Sequence, residues 1–186
     1  MTSDATRDRM SSGRPAGAPA IVVMGVSGSG KSTIGAALAT ELGVPFIDGD
    51  SLHPAANVAK MSAGVALTDS DRWPWLAAVG RRLHDARESG LVVACSALRR
   101  SYRDAIASQA PGAFFLLLDG PRDVLLRYLG RRRGHFMPVS LLDSQLATLE
   151  PLEPDESGTT VDIDAPIPVV LERALDALPT EHRPSH

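Results

Sequence analysis

The sequence predicts one α/β domain built on a parallel sheet, and three features indicate it. Short apolar runs are nearly continuous, as in strands that are buried on both faces. Segments with helical spacing separate these runs, and this alternation is typical of parallel strands joined by helices. A glycine-rich loop follows the first run and opens a helix. The 186 residues, 44% apolar and 22% charged, suit one ordinary globular domain.

The predicted elements follow one another along the chain. The strands are expected at residues 21–24, 45–47, 91–94, 113–118 and 161–163. A helix is expected over residues 34–42, and apolar side chains at helical spacing indicate two more, over 76–86 and 141–149. Both ends of the chain lack apolar periodicity. We therefore expect a disordered leader over residues 1–19, the folded domain over 20–178 and a flexible tail over 179–186.

Composition argues against several functional classes. No apolar run approaches the roughly 20 residues of a membrane helix. The net charge of −3 gives no electrostatic footprint for duplex nucleic acid. The single cysteine, Cys95, cannot form an internal disulfide, and we interpret it as a small core residue. We therefore expect a cytoplasmic protein with no membrane and no nucleic acid as partner.

The strongest motif is the segment 25–32, GVSGSGKS, which matches G-x-x-x-x-G-K-[ST] between a strand and a helix. Its glycines let backbone N–H groups surround phosphate oxygens, and the helix N-terminus adds partial positive charge. Lys31 is expected to reach the β- and γ-phosphates, and Ser32 to offer its hydroxyl to Mg²⁺. A dinucleotide fingerprint is excluded, because Thr33 stands where that pattern requires glycine.

Two carboxylates, Asp48 and Asp50, follow the second predicted strand. Ligands of open α/β sheets bind at this carboxyl edge. One carboxylate can hold the metal shell while the other acts as base toward an acceptor hydroxyl. A solvated turn is the alternative, because Asp and Gly are turn residues. Downstream of a phosphate-binding loop we favour the site.

Charged and aromatic side chains crowd the stretch 51–76, which shows little apolar periodicity. We interpret it as a long binding loop, and its two tryptophans argue against disorder; Trp75 could equally fill the core. Farther along, Arg99 and Arg103 lie four residues apart on one predicted helix face and suit a carboxylate or phosphate, with a solvated face as the alternative. The arginines at 131–133 can complement a helix dipole or close over a triphosphate.

Five blocks, in order, resemble the gluconokinases of the thermoresistant type: GVSGSGKST, DGDSLHP, NVAKMSAGVALTDSDRWPWL, CSALRRSYRD and FMPVSLLDSQLATLEPLEP. The resemblance covers residues 21–178. It implies a P-loop kinase fold, a three-layer sandwich with a five-stranded parallel sheet, a mobile lid and an acceptor-binding helical segment. It also implies ATP and Mg²⁺, phosphorylation of gluconate at its 6-hydroxyl, and a homodimer.

The resemblance further assigns roles to residues of this chain. Lys31 and Asp50 become catalytic, with Asp50 as the base, while Ser32 and Asp48 hold the metal, and residues 165–168 form an adenine loop. The implied nucleotide contacts are Gly25, Val26, Ser27, Gly28, Ser29, Gly30, Lys31, Ser32, Thr33 and, from the lid, Arg131. The implied acceptor contacts are Asp50, His53, Lys60, Arg72, Arg99 and Arg103.

Two alternatives stay open at this point. One is another P-loop kinase of small metabolites, such as a shikimate kinase. The other is a regulatory ATP-binding module without turnover. The five cations among the acceptor candidates predict an anionic acceptor, because buried charges must be paired.

Overall fold

The sheet has β1 at its centre, and the glycine-rich loop leaves directly from this strand. The computed structural model describes residues 18–130 and 139–183. Within these ranges five parallel strands pair in the order β2-β3-β1-β4-β5. The strands are β1 (Ala20–Met24), β2 (Phe46–Asp48), β3 (Leu91–Ala94), β4 (Phe114–Asp119) and β5 (Gly158–Asp162). All five predicted strands are present. The edge strand β5 begins earlier than expected, because its partly exposed threonines interrupt the apolar pattern.

Seven α-helices lie within the described ranges and cover both faces of the sheet. They are α1 (Lys31–Leu42), α2 (Ala55–Ser62), α3 (Asp69–Asp85), α4 (Arg100–Gln109), α5 (Arg122–Gly130), α6 (Val139–Thr148) and α7 (Ile167–Ala177). Short 3-10 helices occupy Gly49–Leu52 and Thr180–His182. The predicted α/β fold is thus confirmed, and the second 3-10 helix lies at the start of the expected C-terminal tail.

The core has two halves, one on each face of the sheet. Ile21 and Val23 of β1 pack with apolar side chains of α1, α5, α6 and α7. Val22 and Met24 face the other way and pack with α3 and α4. All four side chains are fully buried, as expected for a central parallel strand. The arrangement is a three-layer sandwich. No helix in the described ranges is long and apolar enough to span a membrane.

The stretch 51–76 is not the long loop that the sequence suggested. It contains α2 and the first two turns of α3. Thr68 caps α3 through a capping box with Asp71, in which each side chain accepts a hydrogen bond from the other residue's backbone N–H. Pro74 lies inside the helix and removes one backbone hydrogen bond. Because charged residues and this proline fill the first turns, apolar spacing becomes visible only from Leu76 onward.

Candidate active site

The segment 25–32 joins β1 to α1 and has the backbone geometry of an anion cradle. Gly28 and Gly30 adopt φ values of +85° and +91°, a left-handed conformation that favours glycine. The helix α1 begins at Lys31, immediately after this turn. Its first N–H groups have no partners within the helix and so are donors for an anion. This geometry is suited to phosphate.

A chain of polar contacts links the start of α1 to the end of β2. The Ser32 hydroxyl donates to Oδ2 of Asp48 at 2.9 Å, and Oδ1 of Asp48 accepts the N–H of Asp50 at 3.1 Å. The Lys31 ammonium donates to the Val26 carbonyl at 2.9 Å. A hydroxyl and a carboxylate held together are the oxygen ligands that Mg²⁺ prefers. Ser32 and Asp48, which were predicted together as metal ligands, are neighbours in the fold.

A cavity of about 530 Å³ lies beside the cradle. The glycine-rich loop, α1, Tyr128 and the start of α7 line it, and apolar side chains such as Ile34 and Val170 contribute to the walls. The Tyr128 hydroxyl lies 3.1 Å from the Ile163 carbonyl and 3.0 Å from that of Ala165, which ties α5 to the loop after β5. Residues 166–168, part of the predicted adenine loop, line the same cavity. Its walls suit a flat aromatic base.

On the other side of β1, His53 is held between Trp75 and Asn57. Its ring stacks on Trp75 with centroids 4.1 Å apart, and the Trp75 indole N–H donates to the Gly49 carbonyl at 2.7 Å. Trp75 is thus a core residue that also supports the site. The Asp50 carboxylate is 82% exposed and lies 4.0 Å from Nε2 of His53.

The hydrogen bonds of Asn57 define the tautomer of His53. The amide nitrogen Nδ2 donates to the Asp71 carbonyl at 2.7 Å and lies 3.3 Å from Nδ1 of His53. An amide nitrogen can only donate, so Nδ1 accepts and the neutral ring carries its hydrogen on Nε2. Burial lowers the pKa of His53, with Asp50 acting in the opposite direction. At neutral pH the ring therefore presents an uncharged Nε2–H on the Asp50 side.

Lys60 has an internal partner. Its ammonium lies 2.7 and 2.8 Å from the two carboxylate oxygens of Asp71. The same carboxylate accepts hydrogen bonds from the N–H and hydroxyl of Thr68. The hydrogen bond from Lys60, followed by those from Thr68, lowers the pKa of Asp71 to about 2. Lys60 is thus oriented by the cap of α3.

Arg72 and Arg99 share one carboxylate, that of Asp69. Nη1 of Arg72 lies 3.3 Å and Nη1 of Arg99 lies 3.0 Å from its oxygens, and the Tyr102 hydroxyl donates to it at 2.6 Å. The Tyr102 hydrogen bond, with the two guanidiniums, lowers the pKa of Asp69. Both guanidiniums also lie over the Tyr102 ring, 5.7 and 5.6 Å from its centroid. We call Asp69, Arg72, Arg99 and Tyr102 the arginine cluster.

Arg103 does not join this cluster, and its predicted acceptor role is wrong. Its side chain is 1% exposed and forms an ion pair with Glu156, with Nη2 2.8 Å from Oε2. Its remaining donors reach backbone carbonyls, including those of Glu150 and Pro151. The prediction that Arg99 and Arg103 lie on one face of the same helix is also wrong. Arg99 is the extended N-cap residue of α4, not part of the helix.

The remaining predicted residues differ in outcome. Cys95 is fully buried, as expected of a core residue, and burial raises the pKa of its thiol to about 12. Such a thiol is not a nucleophile. Arg131 and the other predicted lid arginines lie outside the described residues.

Sequence reasoning assigned no role to several residues that the fold brings to the site. Asp69 and Asp71 hold the predicted cations, and Tyr102 supports two of them. The Thr68-x-x-Asp71 capping pattern could have revealed the start of α3. Gln145 of α6 contacts the glycine-rich loop, where its Oε1 accepts the Ser27 N–H at 2.7 Å. No local signal marked this residue, since it stands among the leucines of a helical pattern.

Comparison with known proteins agrees with this geometry. The shikimate kinase family model matches residues 27–153, more than half of the chain. Together with the strand order and the glycine-rich loop after β1, this match defines the class as a P-loop kinase.

Particular relatives narrow the class. The thermosensitive gluconokinase of Escherichia coli K12 is 46% identical over 84% of this chain and 86% of its own length. The thermoresistant gluconokinase of that organism is 39% identical over 84% of this chain and 91% of its own length. A crystal structure of a gluconokinase from Sinorhizobium meliloti 1021 is 51% identical, has a TM-score of 0.79 and covers 86% of this chain and 90% of that one. The chain belongs to the gluconokinase family, which confirms the resemblance seen in its sequence.

Proposed function

We propose that this chain is a gluconokinase that transfers the γ-phosphoryl group of ATP to the 6-hydroxyl of D-gluconate. The observation that carries the proposal is the 39–51% identity to gluconokinases over about 85% of the chain. The site agrees in kind, because a phosphate cradle and a group of cationic side chains flank the same carboxyl edge of the sheet.

ATP binds with its phosphates in the loop 25–33 and its adenine in the cavity beside it. The left-handed glycines and the N-terminus of α1 support the first part, and the apolar walls near Ile34 support the second. Lys31 meets the negative charge that grows on the transferring phosphoryl oxygens. In this proposal Arg131 contacts the triphosphate, as the family resemblance implies.

Ser32 and Asp48 would hold Mg²⁺, because their oxygens lie 2.9 Å apart at the mouth of the cradle. A bound Mg²⁺ would neutralise phosphate charge and orient the triphosphate. Asp48 also accepts the N–H of Asp50, so the same carboxylate positions the residue that follows.

Asp50 acts as the general base. Its exposed carboxylate takes the proton of the 6-hydroxyl as the hydroxyl oxygen bonds to the γ-phosphorus and the bond to the ADP oxygen breaks. The neighbouring His53 carries its hydrogen on Nε2, 4.0 Å from Asp50, where it can donate to an acceptor hydroxyl. His53 needs only its neutral form for this contact, which burial favours by lowering its pKa.

The acceptor carboxylate binds at the arginine cluster. Arg99 is 41% exposed and donates to Asp69 through Nη1. Its other donors can therefore form a charge-assisted contact with the acceptor. Arg72 and Lys60 complete this side. His53 is neutral, Arg103 lies elsewhere, and Asp69 and Asp71 neutralise part of the charge of the other three cations. The pocket therefore holds less excess positive charge than the five predicted cations would supply.

The test is ADP release from Mg-ATP with gluconate, glucose or shikimate under matched conditions. We expect turnover with gluconate and rejection of glucose by as much as ~10⁴ in kcat/KM, because glucose lacks the carboxylate that the cluster binds. Comparable rates on glucose would contradict the carboxylate contact. A preference for shikimate, or ATP binding without turnover on any acceptor, would replace the proposal with one of the two alternatives.

Two further expectations belong to the same proposal. We expect a homodimer, which light scattering on the purified protein tests directly. We expect the protein to act in the cytoplasm, which fractionation of cells that produce it tests.

A further inference from the structure

The peptide unit between Val26 and Ser27 carries a contact at each end. Its carbonyl accepts a hydrogen bond from the Lys31 ammonium at 2.9 Å, and its N–H donates to Oε1 of Gln145 at 2.7 Å. These two lengths and ordinary peptide dimensions place the Lys31 nitrogen and the Gln145 oxygen at most about 8 Å apart. Gln145 therefore lies near the Lys31 ammonium, at the same part of the glycine-rich loop.

Gln145 is held there by a well-anchored helix. Leu142, one turn earlier on α6, is fully buried in the core. The neighbouring Asp143 accepts two hydrogen bonds from Arg122 of α5, at 2.7 and 3.0 Å. Both anchors lie in the turn of α6 that precedes Gln145, and they fix the part of the helix from which its half-buried side chain extends.

The chemistry of the contact fixes the orientation of the carboxamide. A backbone N–H can only donate, so the oxygen of Gln145 faces Ser27 and the NH₂ group is left with two donors. Within residues 18–130 and 139–183, only Ser27 forms a hydrogen bond with this side chain. Two N–H donors beside a phosphate cradle are suited to an anionic oxygen.

We propose that Gln145 is a ligand of the transferring phosphoryl group, with Ser27 fixing its oxygen and its NH₂ group donating to a γ-phosphoryl oxygen. The inference rests on the proposed kinase function and adds a neutral donor to the charges of Lys31 and Mg²⁺. Charge grows on the phosphoryl oxygens in the transition state, so a donor held in place before the reaction lowers the barrier. Gln145 would also distinguish ATP from ADP, because only ATP carries the γ-phosphoryl group.

The decisive variant is Gln145→Glu, which keeps an oxygen for the Ser27 N–H but replaces both donors with a charged acceptor. We expect kcat to fall by about 10²–10³, the usual loss for one oxyanion donor. We also expect affinity for the β,γ-imido analogue of ATP to fall at least tenfold more than affinity for ADP. Gln109→Glu makes the same charge change at an exposed position of α4 and should alter neither quantity.

A second variant, Gln145→Met, removes the donors without adding charge. This variant should also lose more affinity for the ATP analogue than for ADP, although the difference should be smaller than in Gln145→Glu. Retained ADP binding would show that the loop is folded. Equal losses for both nucleotides in the two variants would overturn the assignment and leave Gln145 a structural contact between α6 and the loop.

The nucleotide measurements need no acceptor, which separates this inference from the proposed function. Suppose the parent protein does not phosphorylate gluconate, but the Gln145 variants still lose more affinity for the ATP analogue than for ADP. The acceptor assignment is then wrong and the assignment of Gln145 stands. If the parent phosphorylates gluconate but the variants lose equal affinity for the ATP analogue and for ADP, only the assignment of Gln145 is wrong.

Discussion

The nucleotide side of the site consists mainly of main chain, whereas the acceptor side consists of side chains that pair with one another. On the first side, one loop of about eight residues supplies the turn, the helix N-terminus and Lys31. On the second side, Lys60 pairs with Asp71, and Arg72 and Arg99 share Asp69. Main-chain N–H groups bind any phosphate, because they contact only its oxygens. A paired cluster can be selective, because an acceptor must compete with or add to carboxylates already present.

Asp50 lies where the two sides meet, and changing it should have the largest effect. Asp50→Asn should lower kcat by roughly 10²–10⁴, because the variant cannot take the hydroxyl proton. Affinity for a non-hydrolysable ATP analogue should stay near the parent value. Steady-state ADP release and analogue binding measure the two, with the exposed Asp176→Asn as control. A severe defect in Asp48→Asn together with a mild one in Asp50→Asn would reverse the roles assigned to these carboxylates.

The two lysines of the chain allow the two sides to be compared directly. Lys31→Ala should lower kcat by about 10²–10³, because charge on the transferring phosphoryl group loses its counter-charge. Lys60→Ala should instead raise KM for gluconate about tenfold with little change in KM for ATP, as expected for one lost charge-assisted contact. Both constants come from one kinetic matrix of ATP and gluconate concentrations. If both variants changed the same kinetic constant by a similar factor, the distinction between the nucleotide side and the acceptor side would be wrong.

Arg103 and Arg100 test the corrected boundary of the acceptor side. Arg103→Met should lower the free energy of unfolding by about 3–5 kcal/mol, because it removes the ion-pair partner of the Glu156 carboxylate, which is only 5% exposed. Arg100→Met should lower stability by much less, because the Arg100 guanidinium is partly exposed and its main partners, Asp104 and Asp155, are exposed carboxylates. Urea unfolding measures both. A stable Arg103→Met protein with a greatly raised KM for gluconate would restore the role first predicted for this residue.

The smallest expected effect is a pH dependence of stability on the acceptor side. The pKa of His53 is lower in the folded protein than in the unfolded chain, so the unfolded chain binds more protons below about pH 6.5. Stability is therefore complete above that pH and declines as pH falls toward the folded-state value. His53→Phe, which can still stack on Trp75, should show a smaller fall in Tm than the parent between pH 7.5 and 5.5. An identical decline in both proteins would contradict the buried, neutral ring.

The strands, the phosphate loop and the pair Ser32–Asp48 could be predicted from the sequence because each depends on local or repeated features. Continuous apolar runs identify strands buried on both faces, and the glycines of 25–32 specify their turn without help from distant residues. The meeting of Ser32 with Asp48 follows from parallel strands ending at one edge. The family resemblance came from five blocks, each of which consists of consecutive residues and can be read without knowledge of the fold.

Only the tertiary structure decided what each cation pairs with. Arg99 and Arg103 look equivalent in sequence, yet one precedes α4 and reaches Asp69, while the other is captured by Glu156, 53 residues away. In the same way Gln145 reaches Ser27 across 118 residues. Periodicity reports which face of a helix is apolar but carries no information about the groups opposite it. A charged or amide side chain takes its role from those groups, because burying it is favourable only when its donors and acceptors are satisfied.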